Sequence, residues 1–245
     1  MKAVLLGATK GMGRALARQM AARGDRLFLL GRSAEDLSRS ALDLELRNAS
    51  GKVGTARCDL LDETSFAPAL GRAEAELEGL DTVVVTAGSF AEQESLENDP
   101  ELLSSLLRTN FVGTIGFCET ARKRLLATGG GTLCVFSSVA GDRARTPVVL
   151  YGAAKSGLSH YLEGLDHRFR RQGLVVVTVK PGFVRTGMTA ELEPPPFAGD
   201  PEAVAKTVLD AIDRGRPVVY APRIWRFVLL VVRLLPRAWM RRLSF

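Results

Sequence analysis

Seven short apolar runs recur along the chain, each separated from the next by a stretch with helical periodicity. The runs are KAVLLG (2–7), RLFLLG (26–31), KVGTARC (52–58), DTVVVTAG (81–88), TLCVFSS (132–138), LVVVTVKPG (174–182) and PVVYAP (217–222). Helical patterns fall near 11–23, 34–48, 62–78, 100–128, 150–172 and 201–214. Continuous Val/Leu strands are buried on both faces, which calls for a parallel sheet covered by helices. The βαβ alternation narrows this to a single-domain α/β fold, a doubly wound sheet of Rossmann type. A chain of 245 residues is long enough for one such domain, and no Pro/Ser-rich linker divides it. Residues 1–222 therefore read as the Rossmann-type domain and 223–245 as a basic, amphipathic helical tail.

The charge is unevenly placed. Of the 33 Lys and Arg residues, six are arginines of the tail; the remaining 27 equal the 27 acidic residues. The body is neutral and the tail carries the whole excess of +6. Without a basic face on a recognisable module, no nucleic-acid partner is expected. Cys58, Cys118 and Cys134 are odd in number and lack metal-ligand spacing, so they read as buried thiols and no metal site is expected. A strand pattern beginning at residue 2 leaves no secretory signal expected, and the chain reads as cytoplasmic.

The turn GATKGMG (7–13) joins the first strand to the first helix. Gly7, Gly11 and Gly13 permit a tight turn and close backbone approach, while the helix start offers free N–H groups to a pyrophosphate. At this place in an αβ series, Gly7, Thr9, Lys10, Gly11, Met12 and Gly13 read as a dinucleotide cradle. The second strand ends LLGRS, with Gly31 and Arg32 where an acidic residue would select NAD. A guanidinium forks onto a phosphate, and Lys10 adds a second cation, so NADP(H) is expected in preference to NAD(H).

YGAAK (151–155) opens a helix and sets Tyr151 and Lys155 one turn apart on one face. A free phenol titrates near about 10, and a neighbouring ammonium is expected to lower it toward useful acid–base chemistry. Ser138, at the carboxyl end of a parallel strand, lies at the edge where open α/β sheets bind ligands. His160 and His167 stand nine and sixteen residues beyond Tyr151, out of its reach, and read as structural or solvated.

Together with PGFVRT (181–186), these motifs resemble the short-chain dehydrogenase/reductase family over residues 2–222. By that resemblance Ser138 polarises a substrate carbonyl, Tyr151 delivers the proton, and Lys155 tunes the tyrosine and grips the nicotinamide ribose. Asn110, in NFVG, matches the position that holds a water of the proton relay. Asp59 and Leu60 match the adenine-binding pair, and Ala87 with Gly88 the approach to the cofactor. Pro181, Gly182, Val184 and Thr186 match the nicotinamide clamp. One motif departs: Val85 and Thr86 replace the two asparagines of the family's Asn-Asn-Ala-Gly, leaving open what stabilises the central strand.

The segment TGMTAELEPPPFAGD (186–200) reads as an irregular substrate loop. SSVAGDRARTPVVLYGAAKSGL, PGFVRTGMTAEL and VLLVVRLLPRAWMRRL resemble the bacterial decaprenylphosphoryl-ribose 2-keto reductases. That likeness implies a lipid-linked ketone such as a polyprenyl-phosphoryl sugar, and a flavin oxidase partner that makes it. Arg143 and Arg145 face two readings, substrate-phosphate contacts or solvated charges. Two other functions stay open: a 3-ketoacyl carrier-protein reductase, and a sensor or scaffold that binds NADP(H) without turnover. Family members pair through helices like 100–128 and 150–172, which implies a homodimer or homotetramer.

The tail RIWRFVLLVVRLLPRAWMRRLSF has no charge-free run long enough to span a bilayer. On a helical wheel Arg223, Arg226, Arg233, Arg237 and Arg241 oppose Val228, Leu235 and Trp239, and Pro236 should split the helix in two. An interfacial element of this kind fits peripheral contact with the inner face of a membrane, and self-packing is the competing reading.

Overall fold

In a computed structural model, residues 1–47, 51–195 and 197–242 are described. Residue 48 of the expected second helix, Pro196 of the proline run and 243–245 of the tail lie outside them. Seven parallel strands form one sheet: β1 (Lys2–Leu6), β2 (Arg26–Gly31), β3 (Gly54–Arg57), β4 (Thr82–Val85), β5 (Gly131–Phe136), β6 (Leu174–Pro181) and β7 (Val218–Ala221). Their order is β3-β2-β1-β4-β5-β6-β7, so the chain reverses direction across the sheet between β1 and β4. That reversal opens a crevice at the carboxyl ends of the two strands.

Alternation within β1 explains the layering. Ala3 and Leu5 pack into one core with α1 (Gly11–Ala22), α2 (Ala34–Glu45) and, further along the chain, Val204 and Val208 of the last body helix. Val4 and Leu6 pack into the other, with Phe66 and Leu70 of α3 (Phe66–Leu77) and with Phe117, Leu158 and Leu162. Successive strand residues point to opposite faces, so burial of both faces makes every position apolar. The three cysteines are free, buried thiols, as expected.

The stretch from 89 to 128 is more broken than its periodicity suggests. A short α4 (Gln93–Asn98), absent from the sequence reading, precedes α5 (Pro100–Leu107). The expected single helix over 100–128 is interrupted by a wider π-type turn (Arg108–Gly113) before α6 (Thr114–Ala127). Gly113 lies so close to the Leu60 carbonyl that a Cβ there would sit 1.9 Å from its oxygen. Then follow α7 (Val149–Phe169) and α8 (Pro201–Asp213), the latter capped by the Asp200 carboxylate.

The tail forms α9 (Trp225–Leu234) and α10 (Arg237–Met240), with Pro236 between them. Proline lacks the N–H that would continue the first helix. Leu229 and Val232 of α9 are buried against the body, while Phe227, Leu230, Val231 and Leu234 are exposed on the opposite side. The helix is thus apolar on two faces, with Arg226 and Arg233 on the flank between them. The wheel drew one apolar face; α9 has two, one packed and one outward, and Trp239, on the separate α10, is 64% exposed. No helix among the described residues is long and apolar enough to cross a membrane.

Candidate active site

The β1–α1 turn is shaped by contacts that exclude side chains. Gly7 has φ +95°, and a Cβ there would lie 2.5 Å from the Ala87 nitrogen. At Gly13 a Cβ would meet the Gly7 carbonyl oxygen at 2.6 Å, so backbone itself walls the turn. The start of α1 has no side-chain cap and no acidic residue in its first turn. By contrast, Ser33 caps α2 and Asp99 caps α5. The N–H groups of α1 are left for an anion.

These residues line a cleft of about 430 Å³. Gly7, Thr9, Lys10, Gly11, Met12, Gly13, Arg32, Asp59, Leu60, Ala87, Gly88 and Thr186, all cofactor candidates from sequence, line this one cleft. Ser33, Asp36, Ser105, Thr109 and Met188 line it too and were not foreseen. Asp36 bears on the cofactor: its carboxylate stands 3.4 Å from Lys10 Nζ, so one of the two expected cations is partly neutralised. No ion pair to Arg32 is found among the described residues. The residues present fit a dinucleotide: uncapped backbone N–H groups at the glycine turn suit phosphates, and Arg32 and Asp59 line the same cleft.

Thr86 answers the question raised by the missing asparagines. Its backbone N–H and that of Ala87 both donate to the Leu6 carbonyl, and its hydroxyl donates there at 3.2 Å. The threonine thereby stitches β4 to β1 past the end of the ladder.

Gly88 links the cleft to the catalytic group, since a Cβ there would lie 3.0 Å from Asn110 Oδ1 and 3.7 Å from Lys155 Nζ. Asn110 is fully buried in the π-type turn. Its side chain is engaged with the backbone of Ser89, accepting from its N–H at 2.9 Å and donating to its carbonyl at 2.7 Å. Such turns insert one residue into a helix and recur at functional sites.

Ser138 follows β5 and caps a short turn, accepting from the Ala140 N–H. Tyr151 sits in the first turn of α7. That helix has no cap of its own; Gln93 of α4 accepts the Leu150 N–H at 3.1 Å and fixes where it begins. Ser137 ties β5 to α7 by donating to the Lys155 carbonyl at 3.0 Å and pairing with the Ser159 hydroxyl at 2.7 Å. With both elements clamped, the Ser138 hydroxyl and the Tyr151 phenol lie on neighbouring segments, close enough for the serine to bear on the phenol's acidity. Phe90 packs edge-on against the tyrosine ring, 5.2 Å between centroids. Neither Gln93, Ser137 nor Phe90 carries a sequence signal beyond its neighbours.

Electrostatics differ from the sequence expectation in one respect. Burial pushes the Tyr151 pKa up to about 12, and the nearby Ser138 hydroxyl only partly opposes it. Lys155 does not lower it here: its Nζ donates to the Phe136 carbonyl at 3.0 Å and lies 5.8 Å from the ring centroid. Burial also holds Lys155 down, to about 8. Desolvation penalises the charged form of both groups.

Pro181, Gly182 and Val184 lie at the end of β6, and Val184 is buried beside the loop residue Gly199. The tail closes on this turn. A Cβ at Gly182 would lie 2.0 Å from Trp225 Nε1, so the first residue of α9 rests directly on the glycine. Arg143 is also drawn to the tail, donating to the Leu235 carbonyl at 2.6 Å. His160 and His167 are exposed on α7, away from these groups.

A parallel sheet with a glycine cradle at its reversal and a Ser–Tyr–Lys group at its edge defines a Rossmann-type oxidoreductase acting on CH–OH and carbonyl groups. The short chain dehydrogenase family model matches residues 1–196, and the chain belongs to that family, whose members use NAD(P). An uncharacterized oxidoreductase of Mycobacterium tuberculosis is 32% identical over 240 residues, covering 98% of this chain and 96% of that one. The carbonyl reductase family member 4 of Xenopus laevis is 28% identical, over 84% of this chain and 88% of its own. A crystal structure of a variant actinorhodin polyketide ketoreductase with NADPH superposes with TM-score 0.80 at 22% identity, covering 89% of this chain and 94% of that one.

Proposed function

We propose that the chain is an NADPH-preferring ketone reductase working on a lipid-linked or otherwise amphiphilic substrate. The observation that carries the reductase reading is the convergence of Ser138, Tyr151 and Lys155 beside Gly88, the residue that joins the cleft to Lys155 and Asn110. A bound reduced nicotinamide supplies the hydride. Ser138 donates to the carbonyl oxygen and holds it against the phenol. Tyr151 transfers its proton to that oxygen as charge develops there. A phenol held up at about 12 carries its proton at neutral pH but is a weaker acid than a free phenol, so transfer is driven by the still more basic alkoxide that forms on the substrate oxygen. Preference for NADPH rests on Arg32, exposed at the adenosine end and without an acidic partner among the described residues.

The lipid-linked substrate is supported by the outer face of α9 and by the resemblance of the C-terminal half to reductases of polyprenyl-phosphoryl sugars. Phe227, Leu230, Val231 and Leu234 present an apolar strip flanked by arginines, chemistry that suits an anionic bilayer surface. A flavin oxidase supplying the ketone and self-association through α6 and α7 complete the proposal. The test is NADPH consumption against a panel of soluble and lipid-linked ketones, with mass spectrometry of lipids that co-purify. Turnover confined to lipid-linked ketones is the expected result. Tight NADPH binding with no turnover of any carbonyl compound would sink it.

A further inference from the structure

Two side-chain polar atoms among the described residues are buried without a hydrogen-bond partner: Nε of Arg145 and Nε1 of Trp225. Native proteins rarely leave such atoms unmet, and where they do, a missing ligand is one of the few explanations. Both atoms are donors, so the missing partner is an acceptor.

Both belong to segments that adjoin candidate site residues. Arg145 lies on the loop that joins Ser138 to Tyr151. Trp225 rests on Gly182, in the turn after β6. Lys180 of β6 and Tyr220 of β7 both reach Asp142, at 2.5 and 2.6 Å. Asp142, Lys180 and Tyr220 therefore meet in one corner, with Gly182 and Trp225 adjoining it along the chain; Leu235 of the tail joins through Arg143, and Arg145 lies three residues past Asp142 on the same loop.

The charged groups that meet Arg145's loop in that corner are committed. The Asp142 carboxylate is taken up by Lys180 and Tyr220, and Arg143 by the Leu235 carbonyl. The Arg145 side chain has no hydrogen bond or ion pair among the described residues; its backbone carbonyl accepts from the Val148 N–H at 3.2 Å. Burial lowers its pKa, and no carboxylate opposes that. A guanidinium nevertheless stays charged in proteins. Arg145 is half-buried, six residues before Tyr151, and its Nε–H is shut off from water with no partner, an arrangement that an arriving anion would satisfy.

We infer that Arg145 is the anion-binding group of the substrate pocket and receives a phosphate carried by the ketone. The inference separates Arg145 from Arg143, which the sequence left equivalent. It deepens the reductase reading, and rests on it for the identity of the anion's carrier but not for the anion site itself.

The test uses full-length protein saturated with NADPH, so that the cofactor's own phosphate sites are filled. Binding of inorganic pyrophosphate and of dodecyl phosphate is measured by calorimetry for wild type, Arg145→Met and Arg145→Lys. Arg145→Met should weaken both ligands at least tenfold, and Arg145→Lys should recover part of the loss. Stronger binding of dodecyl phosphate assigns the phosphate to a lipid; equal binding assigns it to a soluble ester. Because the change removes a buried N–H that no protein group meets, Arg145→Met should unfold at the same or higher denaturant concentration than wild type. A structural arginine would shift that midpoint downward, and this result would overturn the inference, as would equal anion affinity in wild type and Arg145→Met. In a ketone assay the ratio of kcat/KM for ribulose 5-phosphate over ribulose should fall at least tenfold. If wild type reduces neither sugar nor any lipid-linked ketone, the reductase reading falls, while Arg145-dependent anion binding still stands.

Discussion

Asn110 holds Ser89 by both atoms of its amide, one accepting the backbone N–H and the other donating to the carbonyl of the same residue. Ser89 directly follows Ala87 and Gly88, which line the cleft. The buried amide thus fixes the turn that carries the cleft into the catalytic group. Asn110→Ala should lower stability by about 1–3 kcal/mol, because it leaves two buried backbone groups unmet. NADPH affinity should fall with it. Urea denaturation together with NADPH titration measures both, and unchanged values would show that Ser89 is held by something else.

Tyr151→Phe removes the proton donor and keeps the ring that packs on Phe90. Turnover should drop at least about a hundredfold. NADPH binding, followed by fluorescence, should change little. Near-wild-type turnover in this variant is the outcome the mechanism cannot absorb.

Arg32→Asp places a carboxylate where the ribose 2′-phosphate is expected. Each lost charge-assisted bond is worth about 1.5–3 kcal/mol, so preference should move toward NADH by at least about tenfold. The exposed Lys10–Asp36 pair contributes little against this, as surface pairs generally do. Competitive titration of the two cofactors decides it, and a wild type that already prefers NADH refutes the reading of β2.

Lys155 gives a pH signature. Its pKa is about 8 in the fold against an ordinary 10.5, because burial disfavours the ammonium. Below pH 8 the lysine is charged in both folded and unfolded chains, and the fold bears the whole desolvation cost. Above 10.5 it is neutral in both and the cost is gone. Stability of the cofactor-free protein should therefore rise between those limits, by about 3 kcal/mol at most. Lys155→Met should lack that rise. Denaturation midpoints of both proteins from pH 7.5 to 10.5 supply the comparison, and parallel pH profiles would contradict it.

For the tail, deletion is a poor probe, because Trp225, Leu229 and Val232 cover part of the body. Replacing the exposed Phe227, Leu230 and Leu234 together by Ser leaves that packed face intact. Wild type should sediment with phosphatidylglycerol vesicles at low salt, less so as salt screens the arginines. The triple variant should stay in solution. If wild type ignores the vesicles, the lipid-linked substrate loses its main physical support.

What was legible in the sequence follows from how strongly burial writes on it. The strands stood out because a parallel sheet covered on both sides fills β1 and β4 with buried, mostly Val and Leu positions. The glycine cradle and the Ser138, Tyr151, Lys155 set were legible because turn geometry and one-turn spacing are local. Helix α4 was not, since only Leu96 of its six residues is buried and no period emerges. The widened turn at Asn110 was equally hidden, because one extra residue barely disturbs a helical pattern. The direction of Lys155 toward the Phe136 carbonyl depends on a strand nineteen residues earlier in sequence. On α9, a wheel ranks faces by polarity and cannot say which of two apolar faces meets the body.

The indole of Trp225 lying on Gly182 makes these two positions one inheritable unit, although 43 residues of sequence separate 182 from 225. A methyl group at 182 would have to occupy the space of the indole nitrogen. A lineage that acquires alanine there must first shrink residue 225, and one that keeps tryptophan at 225 is bound to glycine at 182. The two sites are free to diverge only together, so the turn after β6 and the arginine-rich tail share one evolutionary path.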